Sequence, residues 1–145
     1  MSRLEVLVDT NVATWLWMST GTQRRGRAQT QLARYGDQLT GKTLVISGQT
    51  RAELLQLKNG RGEHHHGALL AAIDRIAYLP LNKAVQERYA ELSHWGRTNG
   101  HEIAQKQNAA DRWIAATAVQ FALPLASEDR VFDGLPQLEL IAPVG

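Results

Sequence analysis

The chain has no cysteine. That excludes disulfides, thiolate catalysis and cysteine-ligated zinc or iron–sulfur centres, and it fits a reducing cytoplasm. No apolar run approaches the roughly 20 residues needed to span a bilayer, and the opening MSRLEV lacks the design of a signal peptide. No membrane role and a cytoplasmic location are therefore expected. A large charge of one sign is also missing: the formal net charge is only +2, so bulk electrostatics alone do not point to a nucleic-acid partner. Internal repeats, low-complexity tracts and a convincing domain linker are absent too.

What is present is an ordinary globular composition, 43% hydrophobic and 21% charged over 145 residues, enough for one domain with one core spanning 1–145. Charge is unevenly placed. Arg24, Arg25, Arg27 and Arg34 fall within eleven residues that carry no acid; a solvated helix face is the plainer reading of such a run. Short apolar runs of strand type occur at LEVLV (4–8), TLVIS (43–47), AYLPL (77–81, shortened by Pro80), LPLAS (123–127) and LELIA (138–142). Between them the pattern predicts helices over 11–18, 24–39, from 50 to about 57, 67–76, 82–97 and 108–122. The last is apolar nearly all round and so predicted to be buried. Strands alternating with helices imply an α/β fold, a parallel sheet covered by helices on both faces.

Two motifs fail their context. GDQLTGKT (36–43) satisfies the P-loop pattern, but a P-loop follows a strand and opens a helix, so that backbone N–H groups face the phosphates. Here a helical segment precedes it and the β-branched TLVIS follows. HHH at 64–66 places consecutive histidines at diverging angles around a helix, where paired ligands need i, i+4 spacing.

The acids are more informative. Asp9 ends the first strand in LVDTN, Glu53 follows the second in SGQTRAELL, Asp111 opens the apolar helix in NAADRWIAATA, and Asp129 follows the fourth strand in SEDRVF. In an open parallel sheet the carboxyl ends of the strands share one edge, the usual ligand crevice. Each acid has a modest explanation as a helix cap: Asp9 before the first helix, Thr50 with Glu53 as a capping box, Asn108 with Asp111 as a looser version, Asp129 before a short turn. Such caps contribute about 0.3–1 kcal/mol. Four carboxylates gathered at one edge cost more, since each close pair repels by roughly a few kcal/mol at an effective dielectric of about 20. A divalent cation offsets that repulsion. Oxygen-only ligands point to Mg²⁺ or Mn²⁺, and Mg²⁺ suits phosphodiester chemistry because it binds through one or two carboxylates plus phosphate. The candidate activity is metal-dependent nuclease.

These four segments, in this order and over essentially the whole chain, closely resemble the PIN domain, and more narrowly the VapC toxins of bacterial toxin–antitoxin pairs. The resemblance implies a sheet of strand order 3-2-1-4-5, a homodimer, Mg²⁺- or Mn²⁺-dependent endoribonuclease activity on cellular RNA, and a cognate antitoxin protein that inserts a segment into the acidic pocket. It puts the catalytic and metal-binding quartet on Asp9, Glu53, Asp111 and Asp129, with Asn11 and Ser127 as supporting residues. It also gives weight to Arg24, Arg25, Arg27, Arg51 and Arg112 as RNA-backbone contacts, for which surface ion pairing is the competing explanation of the last two. A phosphotransferase of the haloacid-dehalogenase type would need a second acid where Asn11 stands. A non-catalytic RNA- or partner-binding module on the same fold is the alternative, because fold alone does not settle activity.

Overall fold

A computed structural model of the chain describes residues 4–19 and 21–144. Strands β1 (Glu5–Val8), β2 (Thr43–Ser47), β3 (Tyr78–Leu79), β4 (Leu125–Ala126) and β5 (Leu140–Ile141) alternate with helices α1 (Thr10–Trp17), α2 (Thr22–Ala33), α3 (Gly48–Asn59), α4 (Glu63–Asp74), α5 (Lys83–Asn99) and α6 (Ala109–Phe121). All strand pairings are parallel and the order is β3-β2-β1-β4-β5, as the family resemblance implies.

The central strand shows why these sequences read as unbroken apolar runs. Side chains alternate across a strand, and here both faces are dry. Val6 and Val8 join the core under α1 to α4, whereas Leu7 joins the core under α5 and α6. Ile46 and Val45 on β2, and Ala126 and Leu125 on β4, divide in the same way. Trp15 and Trp17 pack against the first core, Trp95 and Trp113 against the second. Among the described residues no helix is long and apolar enough to cross a membrane.

Helix ends follow local chemistry. Asn82 caps α5 by accepting the Val85 N–H at 3.0 Å, and Gly100 closes that helix in the left-handed region at φ 64°. Within α5, a Cβ on Gly96 would stand 2.9 Å from Ala104 Cβ and Ile103 Cγ2. Only glycine lets α5 press against the 3-10 turn Glu102–Ala104, which leads the chain into α6.

Three local expectations change. The helix expected over 24–39 stops at Ala33, because Gly36 takes a positive φ of 56° and the chain continues as a 3-10 turn, Gly36–Leu39. Thr50 is not a cap: Ser47 occupies that position and its Oγ accepts the Thr50 N–H at 3.0 Å. The helix expected from residue 67 begins at Glu63, so the three histidines lie in its first turns. The P-loop-like segment runs from the 3-10 turn into β2, the reverse of the strand-to-helix order that phosphate binding needs. It also lies at the edge of the sheet where β2 begins, opposite the strand ends.

Candidate active site

Parallel register brings the first two groups together. Val8 on β1 is paired with Ala126 on β4, so the residues that follow, Asp9 and Ser127, emerge side by side. The Asp9 N–H reaches Ala126 O at 3.2 Å, and Ser127 Oγ donates to Asp9 Oδ2 at 2.5 Å. The other oxygen, Oδ1, accepts the Val12 N–H at 2.9 Å, so Asp9 also caps α1. The same Ser127 hydroxyl accepts the Asp129 N–H at 3.0 Å, and Asp129 Oδ1 caps the following turn through the Val131 N–H at 3.0 Å. One serine thus links two of the acids.

On the other side of β1, β2 ends at Ser47 and α3 starts at once. Thr50 and Glu53, three residues apart, share the helix face that looks back toward α1. Thr10 Oγ1 donates to Glu53 Oε2 and lies 3.1 Å from Thr50 Oγ1. A hydroxyl has one proton. With the Thr10 proton on Glu53, Thr50 must donate to Thr10, and Ser47 Oγ, at 3.3 Å, donates to Thr50. The chain Ser47–Thr50–Thr10–Glu53 therefore runs in one direction and ends on the carboxylate.

Asp111 enters from the first turn of α6, half-buried, and its carboxylate has no hydrogen bond among the described residues. Burial raises its pKa most, and the charges of Asp129, Glu53 and Asp9 add to this, to about 6. Asp9 is likewise raised, by burial above all and by Asp129 and Glu128, against the opposing effect of its Ser127 and Val12 hydrogen bonds. The four acids therefore act on one another in a single electrostatic cluster at the carboxyl edge of the sheet.

Among the described residues no three His, Asp or Glu side chains are already converged into an all-protein cation cage. The donor set nevertheless fits Mg²⁺ or Mn²⁺. Such an ion keeps several waters and takes one or two carboxylates, and Asp111 is a carboxylate without a protein partner whose charge is disfavoured until a cation arrives.

The remaining candidates separate. Asn11 is exposed in the first turn of α1, beside Thr10 and makes no hydrogen bond to an acid. Arg24, Arg25 and Arg27 are exposed on α2. Arg34, from the same basic run, pairs with Glu128 at 2.7 Å. Arg51 pairs with Asp74 at 3.2 Å and lies over the Tyr78 ring. Arg112 departs furthest from expectation: it is only 8% exposed. Its guanidinium donates to Ser93 Oγ at 3.0 Å and lies over the Tyr89 ring. One residue along a helix turns a side chain by about 100°, so Asp111 faces the crevice while Arg112 faces α5. Arg112 ties α6 to α5 and is almost removed from solvent, so it is not the RNA-backbone contact expected of it.

Sequence reasoning missed Thr10, Thr50 and Ser47 as members of the site. Thr10 and Thr50 carried a signal, since Thr10 stands next to Asp9 and Thr50 one helical turn before Glu53; Ser47 had none of this kind. It also missed Arg61, whose pKa is lowered first by burial and then by Arg24. This residue extends the basic surface of α2.

The fold and the acidic edge define a parallel α/β domain with a carboxylate site where its central strands end. The PIN domain model matches residues 6–138, and the chain belongs to that family. It is similar to Toxin FitB of Neisseria gonorrhoeae, at 30% identity over 132 residues, covering 86% of this chain and 87% of that protein. The FitAcB structure from Neisseria gonorrhoeae superposes with a TM-score of 0.70 at 26% identity, covering 94% of this chain and 96% of that one. DNA-bound VapBC from Salmonella typhimurium shares the fold, with a TM-score of 0.70 at 18% identity over 96% and 98% of the two chains.

Proposed function

We propose that this protein is the toxin of a toxin–antitoxin pair and that it acts as an Mg²⁺- or Mn²⁺-dependent endoribonuclease on cellular RNA in the cytoplasm. The observation that carries this reading is Asp111. Its carboxylate has no hydrogen bond among the described residues and faces three further acids, and its pKa is raised to about 6 by burial first and by those acids in addition. The similarity to Toxin FitB supports the biological role.

Asp9 and Asp111 are the residues that would hold the cation. When bound, it supplies charge neutralisation and polarisation of a phosphodiester. Asp9 is held in one orientation by Ser127 and the Val12 N–H. Glu53 has its Oε2 engaged by Thr10, which leaves Oε1 to accept the proton of the attacking water. Asp129, tied to Ser127 through its N–H, completes the negative edge. Arg24, Arg25 and Arg27 contact the RNA backbone on this reading. The antitoxin occupies the acidic edge, and the protein works as a homodimer.

The test is cleavage of total cellular RNA by purified, partner-free protein, with Mg²⁺ or Mn²⁺, with EDTA, and beside a folded Asp111→Asn variant. Discrete fragments that need both the metal and Asp111 are expected. A folded protein that binds RNA or an antitoxin without cutting would instead be a binding module on this fold.

A further inference from the structure

An open cleft of about 520 Å³ lies between α1 and α3, lined by Thr10, Asn11, Thr14, Glu53, Gln56 and Leu57. Thr10 and Asn11 lie four and three residues before Thr14 on one face of α1, and Gln56 and Leu57 lie three and four residues after Glu53 on the facing side of α3, so each set shares a helix face. Thr10 and Glu53 belong to both the cleft and the acidic cluster, so the cleft begins where the scissile phosphate would lie. Resting on the ribonuclease reading, we infer that this cleft is the subsite for a nucleobase flanking the cut, read by the side-chain amide of Gln56 together with Asn11 and seated on Leu57.

The chemistry of the lining selects this occupant. No lysine, arginine or histidine lines the cleft, and its one charge is the Glu53 carboxylate. A phosphate would meet repulsion with nothing to neutralise it. A nucleobase is neutral and has two needs, an apolar surface for its face and donors with acceptors for its edge. Leu57, a large apolar residue left 37% exposed, supplies the first. The Gln56 and Asn11 amides supply the second, because each offers both a donor and an acceptor. Both are exposed and make no hydrogen bond among the described residues, which leaves their amides open to a base edge. Thr14 adds little to the reading of a base, because its hydroxyl proton is committed to Thr10 O.

The experiment first maps a cut made by the wild-type protein with Mg²⁺ by sequencing the fragment ends. Binding of a short fluorescent RNA spanning that cut is then measured in the Asp111→Asn background. It is repeated with RNAs abasic at each nucleotide beside the cut, and with Gln56→Ala and Leu57→Ala added separately. Both positions are exposed, so each variant is expected to keep the parent melting temperature. At one flanking position the abasic RNA should bind about tenfold more weakly. Gln56→Ala should cost the intact RNA a similar factor and cost that abasic RNA nothing further. Equal losses on intact and abasic RNA at every position, or no loss in either variant, would overturn the subsite while leaving the nuclease standing. Absence of any Mg²⁺-dependent cut would end the ribonuclease reading, and the subsite with it.

Discussion

Helices α6 and α2 hold charge in opposite ways. Six of the thirteen residues of α6 are buried, and its acid, Asp111, stands in the first turn. Of the twelve residues of α2 only Ala28 is buried, and Arg24 and Arg25 stand in or next to its first turn. The helix dipole favours an acid at the first position and disfavours cations at the second. Yet Asp111 is the strained charge, because burial and three neighbouring carboxylates outweigh the dipole. The arginines of α2 are solvated, so their unfavourable placement is tolerated. On the proposed reading, the site that takes up a cation keeps its charge half-buried, whereas the surface that meets a polyanion keeps its charge in water.

The largest effect that separates the two helices is expected at Asp111. Asp111→Asn should reduce metal-dependent RNA cleavage on the order of a hundredfold or more. The same change should raise the urea midpoint of the metal-free protein at neutral pH, since it removes a charge that the fold disfavours. A lower midpoint with cleavage intact would mean that Asp111 is structural.

Next comes Arg112, adjacent to Asp111 in sequence and buried against α5. Arg112→Ala leaves a cavity and removes the donor to Ser93 Oγ, which keeps only its bond to Tyr89 O, and should cost about 2–4 kcal/mol in urea unfolding. A protein of unchanged stability that bound RNA more weakly would return Arg112 to the surface contacts.

A pH effect of smaller size follows from Asp111. Its carboxyl titrates at about 6 in the folded chain and near 3.8 ordinarily. Between those values the folded chain holds a proton that the unfolded chain has released. Stability of the metal-free protein should therefore fall as pH rises through this window, with Asp9 acting in the same direction. Urea unfolding in EDTA across pH 4 to 7 checks this: the slope should flatten in Asp111→Asn and when Mg²⁺ replaces EDTA.

The smallest effects belong to α2. Arg24→Gln, Arg25→Gln and Arg27→Gln should each leave the unfolding midpoint within about 0.5 kcal/mol. Each should weaken RNA binding a few-fold and lower the salt slope by roughly 0.7. An unchanged salt dependence in the triple variant would remove α2 from the RNA contacts.

Much of this architecture was legible in the chain. LEVLV and TLVIS read as strands because both faces of their sheet are dry. NAADRWIAATA read as a buried helix because the segment is apolar nearly all round. The acids were recognisable from their places relative to the strands. The hydroxyl chain from Ser47 to Glu53 was not, because a threonine beside an acid is commonplace until a second helix brings its partner within reach. Arg112 was misplaced for a related reason: adjacency in sequence says nothing about which way a helical side chain points.

The sequence by itself determined the alternation of elements, the run of acids after strands and the absence of sulfur ligands, since these depend on local pattern and residue chemistry. Only the tertiary structure decided that Ser127 grips Asp9, that Thr10 binds Glu53, and that Arg112 is an anchor. Those outcomes depend on parallel register and helix rotation, which set distances between residues up to 118 positions apart. A carboxylate's charge is costly or easy according to what surrounds it, and the surroundings exist only once the chain has folded.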